Sequence, residues 1–189
     1  MIKQALTALR MLAILSLITG AAYPALMLAV GGALFPAQTS GSLLYRNGVV
    51  LGSALVGQRF SGDGYFWPRP SASNYSALPS SASTLGPTSA ALLRAVAERK
   101  EHAGKGAGGE MLFASGSGLD PDISPQSALA QIPRILKARK MAQDGGQRLE
   151  ALVEQCTQAY DLGFLGEKRV NVLRLNLTLD DLTKEQAHD

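Results

Sequence analysis

The side chains best suited to catalysis lie in poor positions for it. The two histidines are His102, within a Gly- and Lys-rich segment, and His188, next to the end of the chain. Neither position offers the fixed geometry that a Ser-His-Asp triad or a histidine metal site requires. The sequence therefore predicts no catalytic residue and no metal site of these kinds.

Hydrolysis by a serine that a lysine activates is an alternative, because serines are numerous. A lysine acts as a base only when desolvation lowers its pKa. The available lysines lie in the Gly- and Lys-rich segment, near a helix end or near a turn, and are Lys100, Lys105, Lys137 and Lys168. None of these positions predicts desolvation, so a membrane-anchored Ser-Lys hydrolase stays an alternative, as does an unrelated anchored binding protein.

Two unusual segments have two interpretations each. Ser115-Gly116-Ser117-Gly118 is a tight turn continued by Asp120-Pro121, or a phosphate loop. It lacks the Gly-x-x-x-x-Gly-Lys-Ser/Thr pattern and does not open directly into a helix, which favours the turn.

Tyr65-Phe66-Trp67-Pro68-Arg69-Pro70 combines aromatic residues with an arginine between prolines. It is an interaction surface, or a loop packed on its own domain.

Composition narrows the function further. The net charge of +3 over 189 residues is too small for a nucleic-acid partner. The single cysteine, Cys156, has no intramolecular disulfide partner, so it does not indicate a redox compartment.

One apolar segment predicts a transmembrane helix. Residues 11–35 carry no charge, and a helix of that length, about 37 Å, crosses a hydrocarbon core of about 30 Å. The run is too long for a cleaved signal peptide. Lys3 and Arg10 precede it and no charged residue follows until Arg46, so residues 1–10 are predicted to be cytoplasmic. Residues 36–42 form a linker, and residues 43–189 one extracytoplasmic domain, which is periplasmic in a bacterium with an outer membrane.

The span has a candidate face for packing against another helix. Ala21, Ala25, Ala29 and Ala33 recur at every fourth position, which lets a second backbone approach closely. Pro24 removes one backbone hydrogen bond and predicts a kink. The lipid bilayer and another membrane helix are the partners that this segment indicates.

The domain that follows mixes strands and helices. Asn47-Gly48 predicts a type I′ hairpin with arms 43–46 and 49–56, and residues 57–87 predict an ordered, irregular loop. A first helix is predicted after an N-cap at Thr88, with Leu92, Leu93 and Val96 facing inward. A second helix is predicted after Ser124-Pro125. A third is predicted over residues 147–162, with Cys156 buried and Gly163 as its terminator. Lys137, Arg139 and Lys140 would complement the dipole of the second helix. Alternating leucines over residues 173–179 predict a strand. The predicted fold class is a mixed α/β (α+β) soluble domain attached to a single N-terminal transmembrane helix.

Motifs spread over nearly the whole chain carry a resemblance. In chain order they are Gly52-Ser53-x-Leu55-x-Gly57-Gln58-x-Phe60, Tyr65-Phe66-x-x-Arg69-Pro70-Ser71-Ala72-x-x-Tyr75, Leu85-Gly86-Pro87-Thr88, Ala114-Ser115-Gly116-Ser117-Gly118-Leu119-Asp120-Pro121 with Ile123-Ser124-Pro125, Gln131-x-x-Arg134 with Lys137-Ala138-Arg139, and Gly166-x-x-x-Val170-Asn171-Val172-Leu173-x-Leu175-Asn176 with Leu179-Asp180. In this order, after one span, they resemble the small C subunit of the bacterial high-affinity potassium-transporting P-type ATPase, the Kdp complex.

The resemblance implies a non-catalytic accessory subunit in the inner membrane. Its implied partners are a channel-like potassium-selecting subunit, an ATP-hydrolysing P-type subunit and a very small hydrophobic fourth subunit. It also implies a catalytic chaperone that supports ATP binding by the ATPase subunit, with no cofactor of its own. Because ATP is cytoplasmic and the domain is predicted outside, we expect any effect on ATP to pass through the membrane subunits.

The same motifs supply the candidate interface residues. They are the polar and aromatic side chains Tyr65, Phe66, Arg69, Ser117, Asp120, Gln131, Arg134, Asn171 and Asn176.

Overall fold

The computed structural model describes residues 1–103, 106, 108–141 and 144–186, and it describes side chains as far as residue 183. The chain divides into two compact units, Met1–Leu43 and Leu44–Asp189.

The first unit is one long apolar helix followed by a short one. α1 (Ile2–Leu17) continues through a π-helical segment, Ile18–Ala22, into α2 (Tyr23–Leu34). The combined helix is long and apolar enough to cross a membrane, and none of its residues is buried within the protein. The prediction of a single apolar spanning helix is confirmed, and the helix begins well before residue 11 because charged side chains do not interrupt backbone hydrogen bonding.

Two local details of this unit follow from proline. The π-helical segment ends at Ala22, just ahead of Pro24, where the missing N–H and the ring disturb the regular ladder. The segment predicted as a linker, residues 36–42, contains a short helix, α3 (Pro36–Thr39), and Pro36 occupies its first turn. The Ser40 hydroxyl donates to the carbonyl of Pro36 at 2.8 Å and closes this helix.

The domain begins with the predicted hairpin. β1 (Leu43–Arg46) and β2 (Val49–Ser53) form a two-stranded sheet. Asn47 and Gly48 join them with φ values of 52° and 77°, as a type I′ turn requires. The second arm is shorter than predicted because the chain turns at Ser53, whose carbonyl accepts a hydrogen bond from the Val56 N–H. The chain then runs without helix or strand to Ser89, which confirms the irregular loop.

The next helix, α4 (Ala90–His102), lies at the periphery of the domain. Its N-cap is Ser89 rather than the predicted Thr88, and the Ser89 hydroxyl accepts a hydrogen bond from the Leu92 N–H. Leu93 was predicted to face inward and is exposed. The half-buried face instead follows the helical spacing of Leu92, Ala95, Val96 and Arg99.

Two short helices replace one predicted helix. Ser124 caps α5 (Pro125–Leu129) as predicted, accepting from the N–H of Ser127 at 3.2 Å. The helix then stops, and α6 (Ile132–Arg139) begins with Pro133 in its first turn, because proline cannot donate the hydrogen bond of a continuous helix. α6 ends at Lys140, which takes a left-handed conformation.

α7 (Gly145–Cys156) is shorter than predicted. It ends at Thr157, where the chain turns extended, so Gly163 does not terminate it. Cys156 is half-buried, not a fully buried core residue, and burial raises the pKa of its thiol.

A small antiparallel sheet and one helix complete the domain. β3 (Asp122–Ile123), β4 (Thr157–Gln158) and β5 (Arg169–Asn171) pair in the order β3-β5-β4. The register sets Val170 opposite both Ile123 and Thr157. The strand predicted over residues 173–179 is wrong, because this stretch lies in α8 (Val172–Gln186).

The core lies where α5 to α8 meet the small sheet. Its fully buried large side chains include Phe66, Ile123, Ile135, Leu149, Leu175 and Leu179. The fold class is therefore as predicted: one membrane-spanning helix and a mixed α/β domain.

Candidate functional site

The aromatic segment, residues 65–67, is fixed by two buried side-chain amides. The Asn176 Oδ1 accepts from the Phe66 N–H at 2.8 Å, and its Nδ2 donates to the Phe66 carbonyl at 2.9 Å. Gln131 binds Trp67 in the same way, with distances of 2.8 Å and 3.1 Å. Each amide satisfies both backbone groups of one residue, as a neighbouring β-strand would.

Local structure explains why these two amides face the segment. Gln131 occupies the break between α5 and α6, and Asn176 lies on α8 between the buried residues Leu175 and Leu179. Both amides are buried, where an unpaired polar group is costly. They therefore define one position for the aromatic segment.

Arg134 extends this contact along the segment. Its Nη1 donates to the Asp63 carbonyl at 2.6 Å and its Nη2 to the Tyr65 carbonyl at 2.9 Å. The guanidinium lies 3.6 Å from the centre of the Trp67 ring, a cation-π contact. Burial lowers the pKa of Arg134, and the charge of Asp63 opposes that change.

Arg139 and Asp180, which were not among the predicted interface residues, fix the other end. Arg139 donates to the Gly64 carbonyl at 2.7 Å and to the Asp180 carboxylate at 2.8 Å, and it lies 4.8 Å from the centre of the Tyr65 ring. From the sequence, Arg139 belonged to the motif Lys137-Ala138-Arg139 and was expected to complement the helix dipole. One signal was present: Arg139 follows the buried Ile135 by four residues, which places both on one face of α6.

A second cluster lies around Arg69. Its Nη1 donates to the Asp120 Oδ2 at 2.8 Å, and its carbonyl accepts from the Tyr75 hydroxyl at 2.7 Å. Burial raises the pKa of Tyr75 to about 12, against the fields of Arg59 and Arg99, so the hydroxyl remains a donor at neutral pH. The Arg69 Nε is buried and has no partner within the part of the chain that the structure describes.

Asn171 joins three parts of the domain. Its Nδ2 donates to the Ala54 carbonyl at 2.8 Å and to the Asp122 Oδ1 at 3.1 Å, and its Oδ1 accepts from the Arg174 N–H at 3.1 Å. The last bond is an N-cap, which starts α8 directly after β5. Burial raises the pKa of Asp122, with a smaller contribution from Asp120.

Ser117 stands apart from the other predicted residues. It is exposed, and its hydroxyl accepts from the Leu119 N–H at 3.1 Å. The neighbouring Gly118 has a φ of 70°, and a Cβ there would lie 2.8 Å from the Ser81 carbonyl oxygen. The segment is thus the turn that the sequence favoured.

The geometry gives a lysine base little support. Lys100, Lys137 and Lys168 are exposed, and Lys105 lies outside the described residues. Lys168 shares a cleft of about 270 Å³ with Ser124, but the Ser124 hydroxyl donates to Ser127 and caps α5. Over residues 1–103, 106, 108–141 and 144–186, no three His, Cys, Asp or Glu side chains cluster as metal ligands would.

The four alanines predicted as a packing face lie on the long apolar helix of the first unit. Ala21 lies in the π-helical segment, and Ala25, Ala29 and Ala33 lie in α2, all exposed within this unit. A role in helix packing stays a prediction.

The motifs that form these clusters match a known family. The family model described as K+-transporting ATPase, c chain (KdpC), matches residues 5–181. The chain belongs to the KdpC family. The resemblance inferred from the motifs is thereby confirmed.

Curated KdpC relatives match along nearly their whole length. The potassium-transporting ATPase KdpC subunit of Methylorubrum extorquens is 46% identical, covering 97% of this chain and 100% of that protein. The KdpC subunit of Rhodopseudomonas palustris is 44% identical, covering 98% and 100%. That of Gemmatimonas aurantiaca is 48% identical, covering 93% and 92%. The motif residues Gln131, Arg134 and Asn176 thus all bind the aromatic segment that contains Tyr65. Arg69 pairs with Asp120, and Asn171 binds Asp122.

Proposed function

We propose that this chain is the non-catalytic accessory subunit of an ATP-driven, high-affinity potassium uptake complex. It would assemble or stabilise the complex and support ATP binding by the ATP-hydrolysing subunit. Its partners would be a channel-like subunit, a P-type ATPase subunit and a very small hydrophobic fourth subunit. The names of the KdpC relatives, each a potassium-transporting ATPase subunit, support the assignment.

One observation carries the non-catalytic part of the proposal. Three motif side chains form hydrogen bonds with the backbone of residues 63–67. They are Gln131, Arg134 and Asn176, and these bonds use the donors and acceptors that a substrate would otherwise contact. Side chains arranged in this way hold a loop of their own domain in place; they do not present a nucleophile or a base to a substrate. A structural use of these side chains supports the role of an accessory subunit.

The proposed orientation follows from the charges that flank the span. Lys3 and Arg10 favour a cytoplasmic N-terminus, so the domain would lie in the periplasm of a bacterium with an outer membrane. ATP would then be out of reach of the domain, with no nucleotide site of its own. Support of ATP binding would pass through the membrane-spanning subunits.

Deletion of this chain from the intact complex tests the function. The channel-like and ATPase subunits, expressed without it, should co-purify in lower yield, and their ATPase activity should show a raised KM for ATP. Growth at limiting potassium should fail and return when the full chain is supplied. An unchanged yield together with an unchanged KM would contradict the proposal.

Cysteine labelling tests the orientation separately. Ser117→Cys in a Cys156→Ser background presents one thiol at an exposed turn. An impermeant maleimide should label it in intact spheroplasts, and Thr7→Cys, ahead of the proposed span, should be labelled only after lysis. The reverse pattern would place the domain in the cytoplasm and would make direct contact with ATP possible.

A further inference from the structure

The peripheral helix α4 is weakly attached to the rest of the domain. None of its residues is buried, whereas α7, a helix of similar length, contributes Leu149, Leu152 and Val153 to the core. Over the described residues, a single hydrogen bond joins an α4 side chain to a distant part of the domain, from the Arg99 Nη1 to the Leu112 carbonyl at 2.9 Å. Regions that bury so little apolar surface open at a lower free energy than the core does.

Two clefts lie between α4 and the aromatic segment. One has a volume of about 540 Å³ and the other of about 470 Å³, and residues of α4 line both of them. Trp67 and His102 belong to both linings, and Met111 belongs to the second. Packed protein interiors contain few voids larger than a water molecule. A helix bordered by clefts of this size therefore lacks much of the dispersion energy that holds a closely packed helix in place.

The aromatic segment does not depend on α4 for its position. Gln131, Arg134 and Asn176 hold the backbone of residues 63–67, and these side chains come from the break between α5 and α6, from α6 and from α8. Trp67 would therefore keep its place if α4 moved away. A fixed surface beside a weakly attached helix is the arrangement of a lid, because elements that move are drawn from the parts of a fold with low stability.

The connection that precedes α4 permits such a movement. Residues 84–88 are exposed, and Ser89 then joins the helix as its N-cap. Hinges are short segments of this kind, in which a few backbone angles absorb the movement of a whole element. A change over residues 84–88 would move α4 without removing a buried side chain from the core.

We propose that α4 is a lid, which undocks as a unit while the core stays folded and thereby uncovers Trp67 and Met111. In the docked state Met111 is 6% exposed and Trp67 is half-buried. The open state would present a fixed apolar surface that the closed state withholds. The proposal rests on the domain alone and not on the proposed function.

Amide hydrogen exchange on the full chain in detergent micelles tests the undocking. An isolated helix of 13 residues is marginal in water, so α4 should lose its protection whenever it undocks. We expect protection in α4 to be more than about ten-fold lower than protection in α7. Equal protection in the two helices would show that α4 opens only when the domain unfolds, and this would overturn the proposal.

Thiol labelling tests what the undocking uncovers. Met111→Cys and Val153→Cys, each in a Cys156→Ser background, place one thiol at a buried site that lines a cleft beside α4 and one at a buried site on α7. A small thiol reagent should label residue 111 more than about ten-fold faster than residue 153. Equal rates would mean that both sites are exposed only by global unfolding, and would contradict the lid.

Arg99→Ala and its control Arg94→Ala separate undocking of α4 from a general loss of stability. Alanine favours a helix at least as well as arginine does, so Arg99→Ala weakens docking and not the helix itself. Loss of the hydrogen bond should speed labelling of residue 111 about ten-fold and leave residue 153 unchanged. Arg94→Ala, at an exposed position of the same helix, should change neither rate. Labelling at residue 111 that does not respond to Arg99→Ala, or that rises equally at both sites, would overturn the proposal.

Discussion

Side-chain amides act here as substitutes for a missing β-strand. Residues 65–67 lie outside any sheet, and Phe66 is nonetheless fully buried. Its N–H and carbonyl need partners in the core, and Asn176 supplies both from one side chain. The position of the aromatic segment therefore depends on single residues.

Asn176→Leu should destabilise the domain strongly. Leucine fills a similar volume but leaves two buried backbone groups of Phe66 unsatisfied, at a cost of about 3 kcal/mol. The free energy of unfolding in urea can be measured on the full chain in detergent micelles. Trp67, the only tryptophan, reports on the segment itself.

Gln155→Leu is the matched control, because it removes an exposed amide from α7. We expect it to change the free energy of unfolding by less than about 0.5 kcal/mol. Equal effects of the two variants would show that the Asn176 contacts do not fix the segment.

Glu110 should make stability depend on acid pH. Burial raises its pKa, but hydrogen bonds with Ser124 and Ser127 and the charge of Arg69 outweigh burial, so its pKa lies below the usual 4.5. A folded-state pKa that is lowered contributes stability above the unfolded-state value, and this is lost as pH falls through the folded-state pKa.

Glu110→Gln should therefore be less stable than the parent chain at neutral pH, with a difference that shrinks as pH falls below 4.5. Glutamine preserves the Oε1 acceptor for the Ser124 N–H, which is 2.7 Å away. Unfolding followed by Trp67 fluorescence over a pH series measures the difference. A difference that stays constant below pH 4.5, or an equal pH dependence in the exposed control Glu150→Gln, would contradict the assignment.

At the scale of elements, α8 shows how two periodicities compete. Alternating leucines at residues 173–179 fit a strand, but the fully or nearly fully buried positions Val172, Leu175, Asn176 and Leu179 follow the helical spacing. The N-cap of Asn171 decides between them, because it ends β5 and supplies the first turn of the helix with an acceptor. The alternation of leucines gives no sign of the hydrogen bond between the Arg174 N–H and the Asn171 side chain that starts the helix.

The end of α6 offers a stabilising substitution. Lys140 has φ 50° and ψ 42°, a left-handed C-terminal position that glycine adopts without a Cβ penalty. Lys140→Gly should raise the free energy of unfolding by about 0.5 to 1 kcal/mol. Lys137→Gly, within the same helix, should instead lower it by about 1 kcal/mol. Urea unfolding of both variants measures the pair, and a loss of stability in Lys140→Gly would refute the expectation.

At the scale of the whole molecule, the chain combines a membrane helix with a domain whose polar motifs are used internally. The KdpC relatives are named as subunits of the potassium-transporting ATPase, and the proposed accessory role of this chain agrees with that.

The alanine face should contribute to assembly in the membrane. Ala25→Leu with Ala29→Leu adds bulk where close backbone approach is expected, so co-purification with the channel-like and ATPase subunits should weaken. Met27→Phe adds bulk about 160° round the helix from Ala29 and should not change the yield. Equal yields from both variants would show that the alanine spacing has no role in packing.

The sequence by itself determined the features that depend on neighbouring residues. A long uncharged run, Asn47-Gly48, and Ser124-Pro125 each specify backbone geometry within a few positions, so the span, the hairpin and one N-cap were predicted correctly. The motif order was likewise sufficient for the family.

Only the tertiary structure decided which distant residues meet. Asn176 binds Phe66, and Arg139 pairs with Asp180, across separations that periodicity does not describe. Packing of α6 and α8 brings these partners together, and burial then makes each hydrogen bond obligatory. For the same reason, the sequence did not show that Gln131 and Asn176 hold the backbone of Trp67 and Phe66; whether these residues also contact a partner stays a prediction.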